Sequence, residues 1–255
     1  MEKIAIIFAG GIGSRMGAAI PKQFLEVQGK PIIIHTLEKF EYHPEITKIY
    51  VACKEELIPV FKDMVRKFNI TKIGPNGILA GGATGQDSIY NALYAAAKEN
   101  SGESIVLIHD GVRPVIDEEV ISRNIESVLN YGSAITCTKA FETPIISMDG
   151  ESVSEMPARN TSFTAQAPQS FYLKDIINAH NITREKNPTY EGIIDSCTLM
   201  HRLGHPVHIV EGNRDNIKVT TPEDYLRLLS ILSFNDQRQI FDLYNTQEKA
   251  YTRRR

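Results

Sequence analysis

The stretch Ser104-Ile105-Val106-Leu107-Ile108-His109, followed at once by Asp110-Gly111-Val112-Arg113-Pro114, decides the fold. An unbroken apolar run that ends in turn chemistry reads as a strand buried on both faces, as inside a parallel sheet. In such sheets ligands bind beyond the carboxyl ends of the strands. An aspartate and an arginine stand at that point in this chain.

The same alternation extends outward in both directions. Ile4–Ala9 reads as a first strand, Pro31–Tyr42 as a helix, Lys48–Cys53 as a strand and Glu55–Phe68 as a helix. Ile70–Leu79 is strand-like but broken by the turn Gly74-Pro75-Asn76-Gly77. Gln86–Glu99 is a helix, with Ile89, Ala92, Leu93, Ala96 and Ala97 on one face. Asp117–Leu129 follows as a helix and Ser133–Thr138 as a strand. Lys139–Thr164 interrupts the pattern with Pro144, Asp149-Gly150 and Pro157, and reads as an inserted β-arm. Beyond it, Tyr190–Leu203 reads as a helix, and Pro206–Glu211 and Asn216–Val219 as strands. Thr221-Pro222-Glu223-Asp224 opens a last helix. The predicted class is α/β: a Rossmann-like, mostly parallel sheet with helices on both faces.

Composition narrows the function. At about 150 residues per domain, 255 residues make one large domain or two small ones. We expect one domain over residues 1–233, with the arm at 139–164 inside it and a tail at 234–255 that carries Arg253, Arg254 and Arg255. The 28 basic and 31 acidic residues give a net charge of −3, which argues against a general nucleic-acid binder. No apolar run approaches the roughly 18 residues of a membrane span. Ile4–Ala9 runs into Gly10-Gly11 rather than a cleavage site, so it reads as a strand and not a signal peptide. Cys53, Cys137 and Cys197 are odd in number and far apart, which points to reduced thiols and a cytoplasmic protein.

Three segments after strands could carry chemistry. Ala9-Gly10-Gly11-Ile12-Gly13-Ser14-Arg15-Met16-Gly17 lets backbone N–H groups approach a phosphate closely. It lacks the G-K-[ST] of a P-loop, and Met16 takes the third glycine position of a dinucleotide fingerprint, which disfavours a dehydrogenase. Arg15 and Lys22 add two cations, suited to a polyphosphate whose charge shifts during reaction. Asp110 can hold Mg²⁺ or a sugar hydroxyl, and Arg113 can clamp a phosphate. Lys218, at a late strand end, could reach the same crevice. His201, His205 and His208 have zinc-like spacing, but Gly204 separates them and the rings need not converge.

AGGIGSRMG with PKQFL, then GG…DSI, HDGVRP, AQAPQSF and DNIKVTTPEDY, in this order, resemble the sugar-alcohol phosphate cytidylyltransferases, and more closely their ribitol-phosphate than their methylerythritol-phosphate branch. The resemblance implies a sheet of the nucleotide-diphospho-sugar transferase type and CMP transfer from CTP to a polyol phosphate, assisted by Mg²⁺. It implies Phe8, Ala9, Gly10, Gly11, Gly13, Gly81, Gly82, Asp87 and Ser88 for CTP. Arg15, Lys22 and Lys218 are implied for catalysis, and Asp110, Arg113, Thr143, Arg159 and Lys218 for the acceptor. Asp110 is also the implied metal contact. A homodimer is implied, with the arm's Thr143 and Arg159 acting in trans. Ribitol 5-phosphate is the expected acceptor and methylerythritol phosphate the alternative; a nucleotide-binding protein without turnover is a third reading. The chain departs from the family pattern at Gly85, where an arginine is usual, and at Ala167 and Ile194, where hydroxyls are lost. Those losses predict an acceptor other than methylerythritol phosphate.

Overall fold

The computed structural model describes residues 1–11 and 20–234. The chain runs through β1 (Lys3–Phe8), a small ribbon of β2 (Glu26–Val27) and β3 (Lys30–Pro31), α1 (Ile32–Glu41), β4 (Lys48–Cys53), α2 (Ile58–Lys67), β5 (Ile78–Ala80) and α3 (Gly85–Glu99). It continues through β6 (Ile105–Asp110), α4 (Glu118–Tyr131), β7 (Ser133–Lys139), β8 (Phe163–Tyr172), α5 (Leu173–Lys186), α6 (Ser196–Arg202) and β9 (Ile209–Glu211). A helix over residues 222–234, α7, closes the described part.

The main sheet has the order β5-β4-β1-β6-β8-β7-β9. β8 alone runs antiparallel to its neighbours, β6 and β7. Side chains alternate across the sheet as the strand period requires. Ala5 and Ile7 of β1, Ile49 and Val51 of β4, and Ile105 and Leu107 of β6 face α1, α2 and α4, where Phe40, Phe61 and Ile121 complete one core. Ile4, Ile6, Tyr50, Val106 and Ile108 face the other way, against Ile89 and Leu93 of α3, Ile176 of α5 and Leu199 of α6. All six residues of β6 are buried, as expected for a central strand with helices on both faces. Val112, Val115, Ile217, Val219 and Leu228 form a third cluster under α7.

The fold class is borne out, with local corrections. Of the expected strand at Ile70–Leu79 only Ile78 and Leu79 fall in β5, and only Ile209–Glu211 of Pro206–Glu211 forms a strand. The expected helix from Tyr190 begins only at Ser196. Tyr190 and Gly192 have φ of 55° and 69°, which a helix does not admit, and Asp195 caps α6 by accepting from Thr198 N. Residues 216–219 are not a strand; Val219 N donates to Val112 O as an isolated link. β8 and α5 are additions that the sequence reading left without elements. The arm leaves the sheet after β7, turns back through a bridge between Ile146 and Glu155, and returns as β8. Of the expected tail, only Phe234, at the end of α7, lies within the described residues.

Candidate active site

β1 and β6 are parallel neighbours, with Phe8 opposite Asp110. From β1 the sheet grows to β4 and β5 on one side and to β6 and β8 on the other. The crevice at their carboxyl ends is therefore a switch point, where α/β sheets bind ligands. A cavity of about 310 Å³ opens there, lined by Phe8, Gln86, Asp110, Arg113, Asp195 and Lys218, among others.

Asp110 organises its floor. Its Oδ1 lies 2.6 Å from Lys218 Nζ and its Oδ2 accepts from Arg113 Nε at 2.8 Å. Burial by itself raises the pKa of this carboxyl, but the Lys218 and Arg113 cations together outweigh it and hold it below the usual carboxylate range. Arg113 also donates to Asn216 O at 2.7 Å, and Asn216 Nδ2 donates to Ala167 O at 2.7 Å. The late segment is thereby tied to β6 and β8. His109 lies beneath, donating from Nε2 to Arg113 O at 3.1 Å, and burial pushes its pKa down to about 4. It is a neutral structural prop.

Lys22 comes from a single 3-10 turn, Lys22–Phe24, and donates to Val219 O at 2.9 Å. The adjacent Gln23 donates to Ala9 O at 3.0 Å, fixing that turn against the glycine loop. Gly10 and Gly11 stand where an added Cβ would lie 3.5 Å from Ser88 Oγ and 3.9 Å from Lys22 Cε. Gly13 and Arg15 lie outside the described residues.

The loop before α3 is tightly packed. Gly81 N donates to Cys53 O and Gly82 N to Ser88 Oγ, while Ser88 Oγ donates to Thr84 O. A Cβ on Gly82 would come within 2.2 Å of Asp87 Cβ. Asp87 forms a capping box with Thr84 and an ion pair of 2.8 Å with Arg184, whose guanidinium lies over Tyr90. Its carboxylate thus builds the loop.

A model of the 2-C-methyl-D-erythritol 4-phosphate cytidylyltransferase family, IspD, matches residues 3–233. The chain belongs to the IspD family. It is 44% identical over 239 residues to a ribitol-5-phosphate cytidylyltransferase of Vibrio parahaemolyticus, covering 93% of this chain and 99% of that one. A protein of the same name from Streptococcus agalactiae is 43% identical over 95% of this chain and its own whole length. Among solved structures, the 4-diphosphocytidyl-2C-methyl-D-erythritol synthase of Anaerococcus prevotii superposes with a TM-score of 0.78 at 28% identity, covering 91% of this chain and 96% of that one. The 2-C-methyl-D-erythritol 4-phosphate cytidylyltransferase of Francisella tularensis gives 0.74 at 29%, covering 92% and 99%.

As an IspD-family member the chain is a nucleotidyltransferase, and the expected enzyme class is borne out. Of the expected site residues, Phe8, Asp110, Arg113 and Lys218 meet at one cavity. Thr143 and Arg159 lie exposed on the arm, away from that cavity in the single chain. The sequence reading missed the pair Gln169–Asp195, in which Gln169 Nε2 donates to Asp195 Oδ2 at 3.0 Å while its Oε1 accepts from Cys197 N. The capping pattern Asp195-Ser196-Cys197-Thr198 was its available signal.

The donor set does not fit a protein-held Mg²⁺. Both Asp110 oxygens already face cations, and among the described residues no three His, Cys, Asp or Glu groups converge. In this structure Asp110 is ion-paired with both Arg113 and Lys218. His208 stacks on Tyr131 and shares a hydrogen bond with Ser133 Oγ.

Proposed function

We propose that this chain transfers CMP from CTP to ribitol 5-phosphate, giving CDP-ribitol and pyrophosphate. The observation that carries the acceptor is identity of 43% and 44%, over nearly the full length, to proteins named for that reaction. Structures named for the methylerythritol reaction reach 28% and 29%.

In this reading an oxygen of the acceptor phosphate attacks the α-phosphorus of CTP. A new P–O bond forms, the bond to the β-phosphate breaks, and pyrophosphate carries away the electron pair. The nucleophile is already an anion, so the site needs cations and positioning rather than a general base. Lys22, anchored on the Val219 carbonyl, and Arg15 take up charge at the α-phosphate. The loop at 8–13, with Gly81, Gly82, Asp87 and Ser88, holds the nucleotide. Asp110, Arg113 and Lys218 form a cluster of net charge +1 that orients the acceptor phosphate, with Lys218 its most exposed member. Any Mg²⁺ would be held by the CTP phosphate oxygens, which are hard donors, and would supply charge neutralisation there.

The arm acts in a dimer. Ile145, Met148 and Met156 of the arm are 57%, 86% and 65% exposed, apolar side chains that a second copy would cover. Thr143 and Arg159 then complete the partner's acceptor site. Reduced, buried Cys53, Cys137 and Cys197 support a cytoplasmic enzyme.

The test is incubation with CTP, Mg²⁺ and ribitol 5-phosphate, with product mass and pyrophosphate release as readouts. Stoichiometric CDP-ribitol and pyrophosphate are expected; no CDP-ribitol would overturn the proposal.

A further inference from the structure

We infer that Gln86 and Ser196 are specificity-determining residues that read hydroxyl groups along the acceptor's polyol chain. The inference rests on the proposal that this cavity takes a polyol phosphate. Among the described residues, three of the seven buried side-chain atoms without a hydrogen-bond partner belong to residues lining this one cavity: Gln86 Oε1, Gln166 Oε1 and Ser196 Oγ. Gln86 is 5% exposed and Ser196 1%. Gln166 is tied through its Nε2 to Asn213 O, and Gln169 and Asp195 hold one another. Gln86, in the first turn of α3, and Ser196, the first residue of α6, therefore bring polar groups that the protein itself leaves unengaged.

A buried polar group without a partner is costly in the folded protein and calls for a reason. A ligand hydroxyl supplies one. It both donates and accepts, so it satisfies a carboxamide in either orientation and a serine hydroxyl alike. A methyl branch at the same place satisfies neither. Sites built around such groups reject analogues that lack the matching hydroxyl far more strongly than apolar pockets reject an extra methyl. The ligand class selected is an unbranched, fully hydroxylated polyol phosphate.

Steady-state kinetics of Gln86→Leu, Ser196→Ala and Ser196→Thr test this, with thermal unfolding as the check on folding. Gln86→Leu and Ser196→Ala should each raise the KM for ribitol 5-phosphate about tenfold while the KM for CTP stays within about twofold. The kcat/KM preference for ribitol 5-phosphate over methylerythritol phosphate should shrink, and Ser196→Thr, which keeps the hydroxyl, should restore most of it. Unchanged acceptor KM and preference in folded variants would overturn the inference, as would a rise confined to the KM for CTP. A wild type that turns over no polyol phosphate would remove the underlying function as well; an active wild type with unaltered variants removes this inference alone.

Discussion

Lys218 Nζ lies 2.6 Å from Asp110 Oδ1, joining the end of the central strand to a segment more than a hundred residues later. Arg113 closes the other side of the same carboxylate at 2.8 Å. The arrangement is a buried anion between two cations, and the cations depend on it. Asp110→Asn leaves the largely covered Arg113, its side chain 13% exposed, without its counter-charge. A loss of about 3 kcal/mol is expected, discounted on the Lys218 side because that side chain is 44% exposed. Urea denaturation measures it; a loss under about 1 kcal/mol would mean that the trio does not hold the floor.

The glycines of the nucleotide loop should separate sharply. An added Cβ at Gly82 meets Asp87 Cβ at 2.2 Å, whereas at Gly85 it meets nothing within 4 Å. Gly82→Ala should therefore raise the KM for CTP at least about tenfold, since the loop must shift to admit it. Gly85→Ala, in the first turn of α3, should be neutral or stabilising by up to about 1 kcal/mol. Kinetics and thermal unfolding of the two variants check the contrast, and equal effects would contradict it.

The same geometry explains what could be read from sequence. The strand at Ile105–Asp110 was legible because burial on both faces leaves an unbroken apolar run. β8 was not, because Pro168 interrupts its pattern and Phe163, Thr164 and Ala165 are exposed. α5 hides its period because His180 and Thr183 occupy core positions. Tyr190, Ile193, Cys197 and Met200 mimic helical spacing, yet the first two are buried by a loop with positive φ at Tyr190 and Gly192. At the site, Asp110 and Arg113 were legible from their place at the end of a strand; Lys218 was expected at a strand end that the structure does not form, yet it reaches the same carboxylate. The Gln169–Asp195 pair was not legible, because its importance lies in which partners its members find across the fold, and Gln86 was not, because what marks it is a buried side-chain oxygen that finds none.

His109 sets an acid limit. Its pKa is about 4 in the folded protein against 6.5 for the free side chain. The unfolded chain therefore binds this proton first as pH falls. The cost is absent above about pH 6.5, grows below it, and is complete below about pH 4, on the order of 3 kcal/mol in all. His109→Gln, which keeps a donor for Arg113 O, should lose less stability than the wild type between pH 7 and pH 4. Parallel losses in denaturant titrations across that range would contradict the assignment.

Arg159 and Lys22 should complement between subunits. Arg159→Ala is expected to raise the KM for the acceptor more than that for CTP. Lys22→Ala should lower kcat by orders of magnitude, because a cation at the α-phosphate acts mainly on the transition state. Co-expressed, separately tagged heterodimers carrying one variant in each subunit keep one intact composite site if the arm reaches across. They should recover activity towards about half of wild type, in proportion to the intact sites. Absence of rescue in purified heterodimers would place the arm's residues outside the partner's site.

Competition between acceptors tests the central claim most directly. The purified protein, given limiting CTP with equal concentrations of ribitol 5-phosphate and methylerythritol 4-phosphate, reports the ratio of the two kcat/KM values as the ratio of CDP-polyol products. The account predicts CDP-ribitol in large excess, by roughly a hundredfold or more if the site reads hydroxyls. A product pool dominated by the CDP-methylerythritol would contradict it.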